Sequence, residues 1–193
     1  MTPTGLLRLE TERLVLRVSE PADAQVFLTL WTERDPRVPP HRRIGPDGRP
    51  TVADIAARLG SASPEHPLRL LTVLRRGSSA AGDALAVIGY CGLLDHGNGS
   101  PEEPELAYEL RRDAQGRGYA TEAAAAVVGW ADAAGYQRLW AGVWDWNTAS
   151  RRVLRKLGFT ELGPSRPRSE HGCSLLTVRS PGEQLGPLQG SGP

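Results

Sequence analysis

The stretch that most restricts what this chain can fold into is QGRGYATEA, residues 115–123. It sits between the alternating segment ELAYEL (105–110) and a run of alanines and valines that ends near Gly135. A strand ending near Arg112, a glycine-bearing turn and a helix from about Thr121 to Ala134 form a strand–loop–helix unit. Such a unit aims free backbone N–H groups at whatever lies beyond the helix start. Gly116 and Gly118 lack the Cβ that would hold an anion at a distance. On glycines alone, the turn is either a tight connection or a cradle for phosphate oxygens. Two nucleotide signatures are excluded. No Lys-Ser/Thr follows the glycines, as a P-loop requires, and Thr121 stands where the third glycine of a dinucleotide fingerprint belongs.

The rest of the chain supplies the setting. RLVLRV (13–18) reads as a strand, and SEPADAQVFLTLW as a helix start with Ser19 as N-cap, Pro21 in the first turn and Ala24, Phe27, Leu28 and Trp31 at helical spacing. Residues 33–50, dense in Pro, Gly and Arg, read as a long surface loop. TVADIAARLG follows as a helix with Thr51 and Asp54 at capping-box spacing. LRLLTVLRR (68–76) and ALAVIGYCGLLD (84–95) read as an antiparallel hairpin across GSSAAGD. QRLWAGVWDWN is a strand, Asn147 caps a helix that closes on Gly158, and FTELG and CSLLTVRS are the last two strands. The order β-α-α-β-β-β-α-β-α-β-β describes one mixed α/β domain over residues 1–180, followed by a disordered tail over 181–193.

At 193 residues the chain suits one well-buried domain. With 23 basic and 22 acidic side chains it lacks the basic excess of a dedicated nucleic-acid binder, and no run of about 18 apolar residues offers a membrane span. Cys91 and Cys173 are too far apart and too few for a zinc site, and both are expected to be buried thiols. The N-terminus lacks the pattern of a secretory signal, so a cytoplasmic location is expected.

Gln115-Gly116-Arg117-Gly118-Tyr119-Ala120 fits Q/R-x-x-G-x-G/A and resembles the acyl-CoA pyrophosphate loop of the GCN5-related N-acetyltransferases, the GNAT family. ETERLVLR, ELAYEL with QGRGYATEA, and NTASRRVLRKLGF (147–159) resemble, in the same order, segments of its Rim-type branch, the ribosomal-protein N-terminal acetyltransferases. One departure is Ala107-Tyr108, where that branch often has Gly-Tyr. The resemblance implies a GNAT fold: a mixed, mostly antiparallel sheet of about seven strands flanked by about four helices. It implies acetyl transfer from acetyl-CoA, as co-substrate and without a metal, to an amine that attacks the thioester directly. The acceptor expected first is a peptide N-terminus; the alternatives are acetylation of a small-molecule amine (an antibiotic or polyamine) or a non-catalytic acyl-CoA-binding domain, and a monomer or a homodimer is expected.

By the same resemblance, Gln115, Gly116 and the N–H groups of Arg117, Gly118, Tyr119, Ala120 and Thr121 would seat the pyrophosphate. Backbone groups of Leu110 and Arg112 would pair with the pantetheine amides, as an added strand would. Asn147 would contact the pantetheine arm, and Ser150 would donate a hydrogen bond to the leaving thiolate. Glu105 and Glu109, on one face of their strand, are the candidates for a base, with Glu105 preferred. Trp140, Trp144 and Trp146 have two readings: a sheet face packed under a helix, or an aromatic wall at the acceptor mouth.

Overall fold

The computed structural model describes residues 8–61, 68–77, 85–95 and 102–180. The tail over 181–193 and most of the GSSAAGD connection lie outside these residues. The elements run β1 (Arg8–Glu10), β2 (Leu14–Val18), α1 (Ala24–Thr32), α2 (Val52–Gly60), β3 (Leu70–Arg75), β4 (Ala86–Leu94), β5 (Glu105–Leu110), α3 (Tyr119–Ala133), β6 (Leu139–Trp144), α4 (Thr148–Lys156), β7 (Thr160–Pro164) and β8 (Ser174–Arg179). The strands form one sheet in the order β1-β2-β3-β4-β5-β6-β8-β7. Every neighbouring pair is antiparallel except β5–β6. The expected mixed, mostly antiparallel sheet with four helices is therefore present, with one strand more than expected, the short β1.

Alternation along the strands sorts the side chains into two layers. Leu106 and Leu110 of β5 and Leu139, Ala141 and Val143 of β6 join the core built with α3 and α4, which contribute Ala123, Ala124, Val127, Ala131 and Leu154. On the other face α1 and α2 pack Phe27 and Ile55 over Tyr90 of β4. The Phe27 and Tyr90 rings stack with centroids 5.4 Å apart. Cys91 and Cys173 are both buried and unpaired.

Helix starts differ from the sequence reading in two places. Ser19 does not cap α1. A single 3₁₀ turn over Pro21–Asp23 precedes that helix, and the Glu20 N–H donates to the Asp23 carboxylate (2.9 Å). The Ser19 hydroxyl instead meets Thr72 on β3 (2.9 Å). Asp23, only 3 % exposed, also takes two hydrogen bonds from the Arg17 guanidinium (2.8 and 2.9 Å) and one from Thr72 Oγ1 (2.8 Å). It thereby ties β2, the 3₁₀ turn and β3 together. Helix α3 begins at Tyr119, two residues before the expected Thr121, because Gly118 adopts φ +83° and turns the chain directly into the helix. The Thr51–Asp54 capping box forms as expected, and Gly135 (φ +88°) stands just beyond the C-cap Ala134 of α3.

One close approach sets the shape of the sheet centre. The β3–β4 register slips so that Val73 faces Gly89 and Leu74 faces Val87, leaving Ile88 as the extra residue of a bulge. Gly89 then lies so close to β5 that a Cβ on it would stand 2.1 Å from the Glu109 carbonyl oxygen. The bulge lies beside Glu109 and Leu110, at the end of β5 remote from its single pairing with β6 at Glu105.

Candidate active site

Strands β5 and β6 pair at one position only, Glu105 opposite Trp140, reinforced by a bond from Trp140 N–H to Pro104 O (2.9 Å). Beyond it the strands part, and a cleft opens through the sheet. Arg111 N–H donates to Ile88 O across on β4 (2.9 Å). By strand alternation, the backbone groups of Tyr108 and Leu110 and the N–H of Arg112 turn the opposite way, into the cleft. The cavity there has a volume of about 960 Å³, and both α3 and α4 aim their N-terminal turns at it.

The glycine turn forms the wall on the α3 side. Gly116 (φ +74°) and Gly118 (φ +83°) are both left-handed. Glu122 N–H is the first in the segment to find its helical acceptor, Gly118 O (3.0 Å). The N–H groups of Tyr119, Ala120 and Thr121 therefore lack intrahelical partners, and the helix dipole adds positive potential at the same spot. The donor set and the absence of side chains at 116 and 118 fit a pyrophosphate.

The neighbouring side chains are committed elsewhere. Gln115 Nε2 folds back onto the Leu110 carbonyl (2.8 Å). The Arg112 guanidinium grips Glu33 O (2.6 and 3.1 Å), and its own N–H donates to the Glu33 carboxylate (3.2 Å). Arg117 lines a separate cavity of about 220 Å³ behind the turn, with Arg75 and Arg111. Of these three residues, Gln115 and Arg112 line the larger cavity, and Arg117 does not.

On the opposite wall Asn147 caps α4, its side-chain oxygen accepting from Ser150 N–H (3.1 Å). Ser150 faces the cavity, and its hydroxyl lies 2.7 Å from the Tyr108 hydroxyl. Burial pushes the Tyr108 phenol up to about 12, with the bond to Ser150 opposing the rise. Sequence reasoning missed Tyr108 as a site residue. The available signal was a hydroxyl-bearing ring on an otherwise apolar strand face, between Leu106 and Leu110.

The two candidate carboxylates have different surroundings. Glu109 takes hydrogen bonds from Arg34 Nε (2.9 and 3.2 Å), Arg34 Nη2 (2.5 Å) and the Tyr90 hydroxyl (2.8 Å). Burial and the Glu109 charge both push the Tyr90 phenol up, so it stays a donor. Arg34 continues to the Arg42 carbonyl, so this network fastens the segment after α1 to β5. Read from sequence as one arginine of an exposed loop, Arg34 is half-buried at the cavity wall. Glu105 sits at the fork where the strands part, and its Oε1 accepts from Gly142 N–H of β6 (3.3 Å).

The tryptophans do not pack under a helix. The helix-facing residues of β6 are Leu139, Ala141 and Val143. Trp144 and Trp146 line the cavity on the other face, stacked with ring centroids 6.2 Å apart and planes nearly parallel at 6°. Arg37 lies 4.1 Å from the Trp146 ring centre, and its bonds to Asp35 hold that carboxyl down at about 2. Trp140 is drawn away from the cavity by Glu103, whose carboxylate accepts from its indole N–H (2.9 Å).

Comparison with known proteins agrees with this architecture. A family profile described as acetyltransferase (GNAT) domain matches residues 13–160. An N-acetyltransferase of uncharacterised specificity from Bacillus licheniformis, p20, is 31 % identical over 173 residues, spanning 88 % of this chain and 92 % of its own. The acetyltransferase yncA from Salmonella typhimurium, described as solved with acetyl-CoA, superposes with a TM-score of 0.64 at 19 % identity, over 90 % of this chain and 97 % of that one. A ribosomal-protein-S5-alanine acetyltransferase from Vibrio fischeri superposes with a TM-score of 0.61 at 18 % identity, over 92 % and 98 %. With the cleft, the glycine turn and the family profile in agreement, the chain belongs to the GNAT acetyltransferase family and is an acetyl-CoA-dependent N-acetyltransferase.

Proposed function

We propose that the protein acetylates a primary amine, a peptide N-terminus in preference to a small molecule, in the manner of the Rim-type branch. The observation that carries this reading is the parting of β5 and β6, which puts the free donors of α3 and the Ser150 hydroxyl on one cavity. In this reading, backbone N–H groups from Gly116 to Thr121 hold the pyrophosphate. The cleft-facing backbone of Tyr108, Leu110 and Arg112 faces the pantetheine arm, beside Asn147. Ser150 donates to the departing sulfur.

Glu105 takes the acceptor's proton, directly or through water. Both oxygens of Glu109 are engaged by Arg34 and Tyr90, which gives that residue the task of holding the acceptor side in place. Among protein amines, preference for an N-terminus over lysine follows from proton affinity. About a tenth of α-amino groups are neutral at pH 7, against well under a thousandth of lysine side chains, a difference of about 3 kcal/mol. A single carboxylate at a half-open fork suits the easier task.

Two measurements test the reading. Acetyl-CoA at about a hundred times its Kd is expected to stabilise the protein by about 2.7 kcal/mol and to raise its Tm by roughly 5–10 °C. Gly118→Val is expected to abolish that increment, because a β-branched side chain at positive φ displaces the first donors of α3. An unchanged increment would remove the turn from the cofactor seat. The acceptor is identified by thiol release with N-terminal peptides, lysine peptides, polyamines and aminoglycosides. N-terminal peptides are expected to turn over fastest, with Ser150→Ala lowering kcat ten- to a hundredfold. Turnover with polyamines or aminoglycosides alone would replace the peptide reading with a small-molecule one, and full activity in Ser150→Ala would take Ser150 out of the reaction.

A further inference from the structure

Ser150 can stabilise a departing thiolate only if its single proton points at the sulfur, and a serine hydroxyl rotates freely unless something fixes it. In this cavity the nearest hydroxyl is that of Tyr108, 2.7 Å from Ser150 Oγ. The two groups come from different elements, β5 and α4, on opposite sides of the parting strands. Tyr108 Oη also stands 3.2 Å from the Ser150 carbonyl oxygen, a longer alternative for its one proton. A phenol is the stronger acid of the two hydroxyls, and the shorter contact is the one to Oγ. The phenol therefore donates and the serine accepts, which leaves the serine proton free to turn to the cavity.

We propose that Tyr108 is a positioning residue for acetyl transfer: by donating to Ser150 Oγ it directs the serine O–H at the thioester sulfur. This rests on the acetyl-transfer reading and assigns Tyr108 no proton transfer of its own. The amine nitrogen bonds to the carbonyl carbon, the C–S bond breaks, and its electron pair moves to sulfur. The proton lost by nitrogen leaves through Glu105 or water, and the thiolate, held by the Ser150 O–H, takes a proton from solvent. Tyr108 starts and ends as a neutral phenol. Its burial agrees with that, since a phenol raised to about 12 stays protonated throughout the working range.

The test is Tyr108→Phe, which keeps the ring and removes the oxygen. With acetyl-CoA and the best amine of the panel, kcat is expected to fall about tenfold while the KM for acetyl-CoA stays put. The loss should be the same at every pH from about 6 to 9. It should shrink with acetyl thioesters of more acidic thiols, whose departing sulfur needs less help. It should vanish in a Ser150→Ala background, because Tyr108 acts only through that hydroxyl. An unchanged kcat, or an equal loss with and without Ser150, overturns the proposal. A loss confined to one limb of the pH profile also overturns it, by making Tyr108 a proton donor instead. Absence of thiol release from the wild-type protein with every amine would sink the acetyl-transfer reading itself. Wild-type turnover with an indifferent Tyr108→Phe sinks only the role of Tyr108.

Discussion

Asp23→Ala is expected to lower the unfolding free energy by about 3 kcal/mol and the Tm by roughly 9 °C, measured by thermal or urea denaturation. The carboxylate is almost fully enclosed and satisfies four donors from Arg17, Glu20 and Thr72. Alanine would leave the Arg17 guanidinium facing a void, although that side chain, 24 % exposed, recovers part of its hydration. The acid dependence has a definite sign. Burial alone would raise the Asp23 carboxyl, but the bonds from Arg17, Glu20 and Thr72 outweigh it and hold the group below its usual value. A carboxylate depressed in the folded state stabilises above its unfolded pKa of about 3.9, and loses that contribution as pH falls through the folded value. The difference in stability between wild type and Asp23→Asn should therefore be full at neutral pH and narrow below about pH 4. A constant difference down to pH 2 would mean that the carboxylate charge contributes nothing.

Gly89→Ala should cost a similar amount, about 3 kcal/mol, and should also weaken acetyl-CoA binding. The added Cβ would meet the Glu109 carbonyl oxygen at 2.1 Å, Leu110 Cδ2 at 2.7 Å and Leu110 Cα at 2.9 Å. Two of these are backbone atoms that cannot rotate aside. Relief requires β4 and β5 to separate beside Glu109 and Leu110, moving the floor of the cleft and the Arg34 network together. Calorimetry of the purified variant, with and without acetyl-CoA, reads both effects. A variant that melts and binds like wild type would show that the strands do not approach so closely in solution.

What was legible in the sequence was local. The Thr51–Asp54 box, the Asn147 cap and the strand–turn–helix around Gly116 and Gly118 each depend on a few consecutive residues, and each forms, the last with its strand ending and its helix starting two residues early. The misreadings involve partners far along the chain. Ser19 looked like a cap, but its hydroxyl is claimed by Thr72, 53 residues away. Strand β1 is three residues long and carries two charges, too short for an alternation to register. Arg34 reads as one of several loop arginines until Glu109, 75 residues on, draws it inward. Tyr108 lies on an apolar face and reads as core, and only the packing of α4 across β5 brings Ser150 to it. The cleft itself has no local signature, because it is a disagreement in direction between two strands.

That disagreement has a consequence for handling the protein. A sheet ordinarily exposes unpaired backbone only along its outermost strands, where charge, brevity or a covering loop keeps other chains from adding on. Here β1 provides such a short, charged rim, yet β5 presents a second margin in the interior, with the backbone of Tyr108 facing the cavity and little besides the Gln115 and Glu33 side chains to cap its neighbours. A ligand carrying amides of its own closes that margin. Chain held without acetyl-CoA therefore keeps an open template for foreign strands, and its colloidal lifetime should lengthen when the ligand is supplied throughout purification.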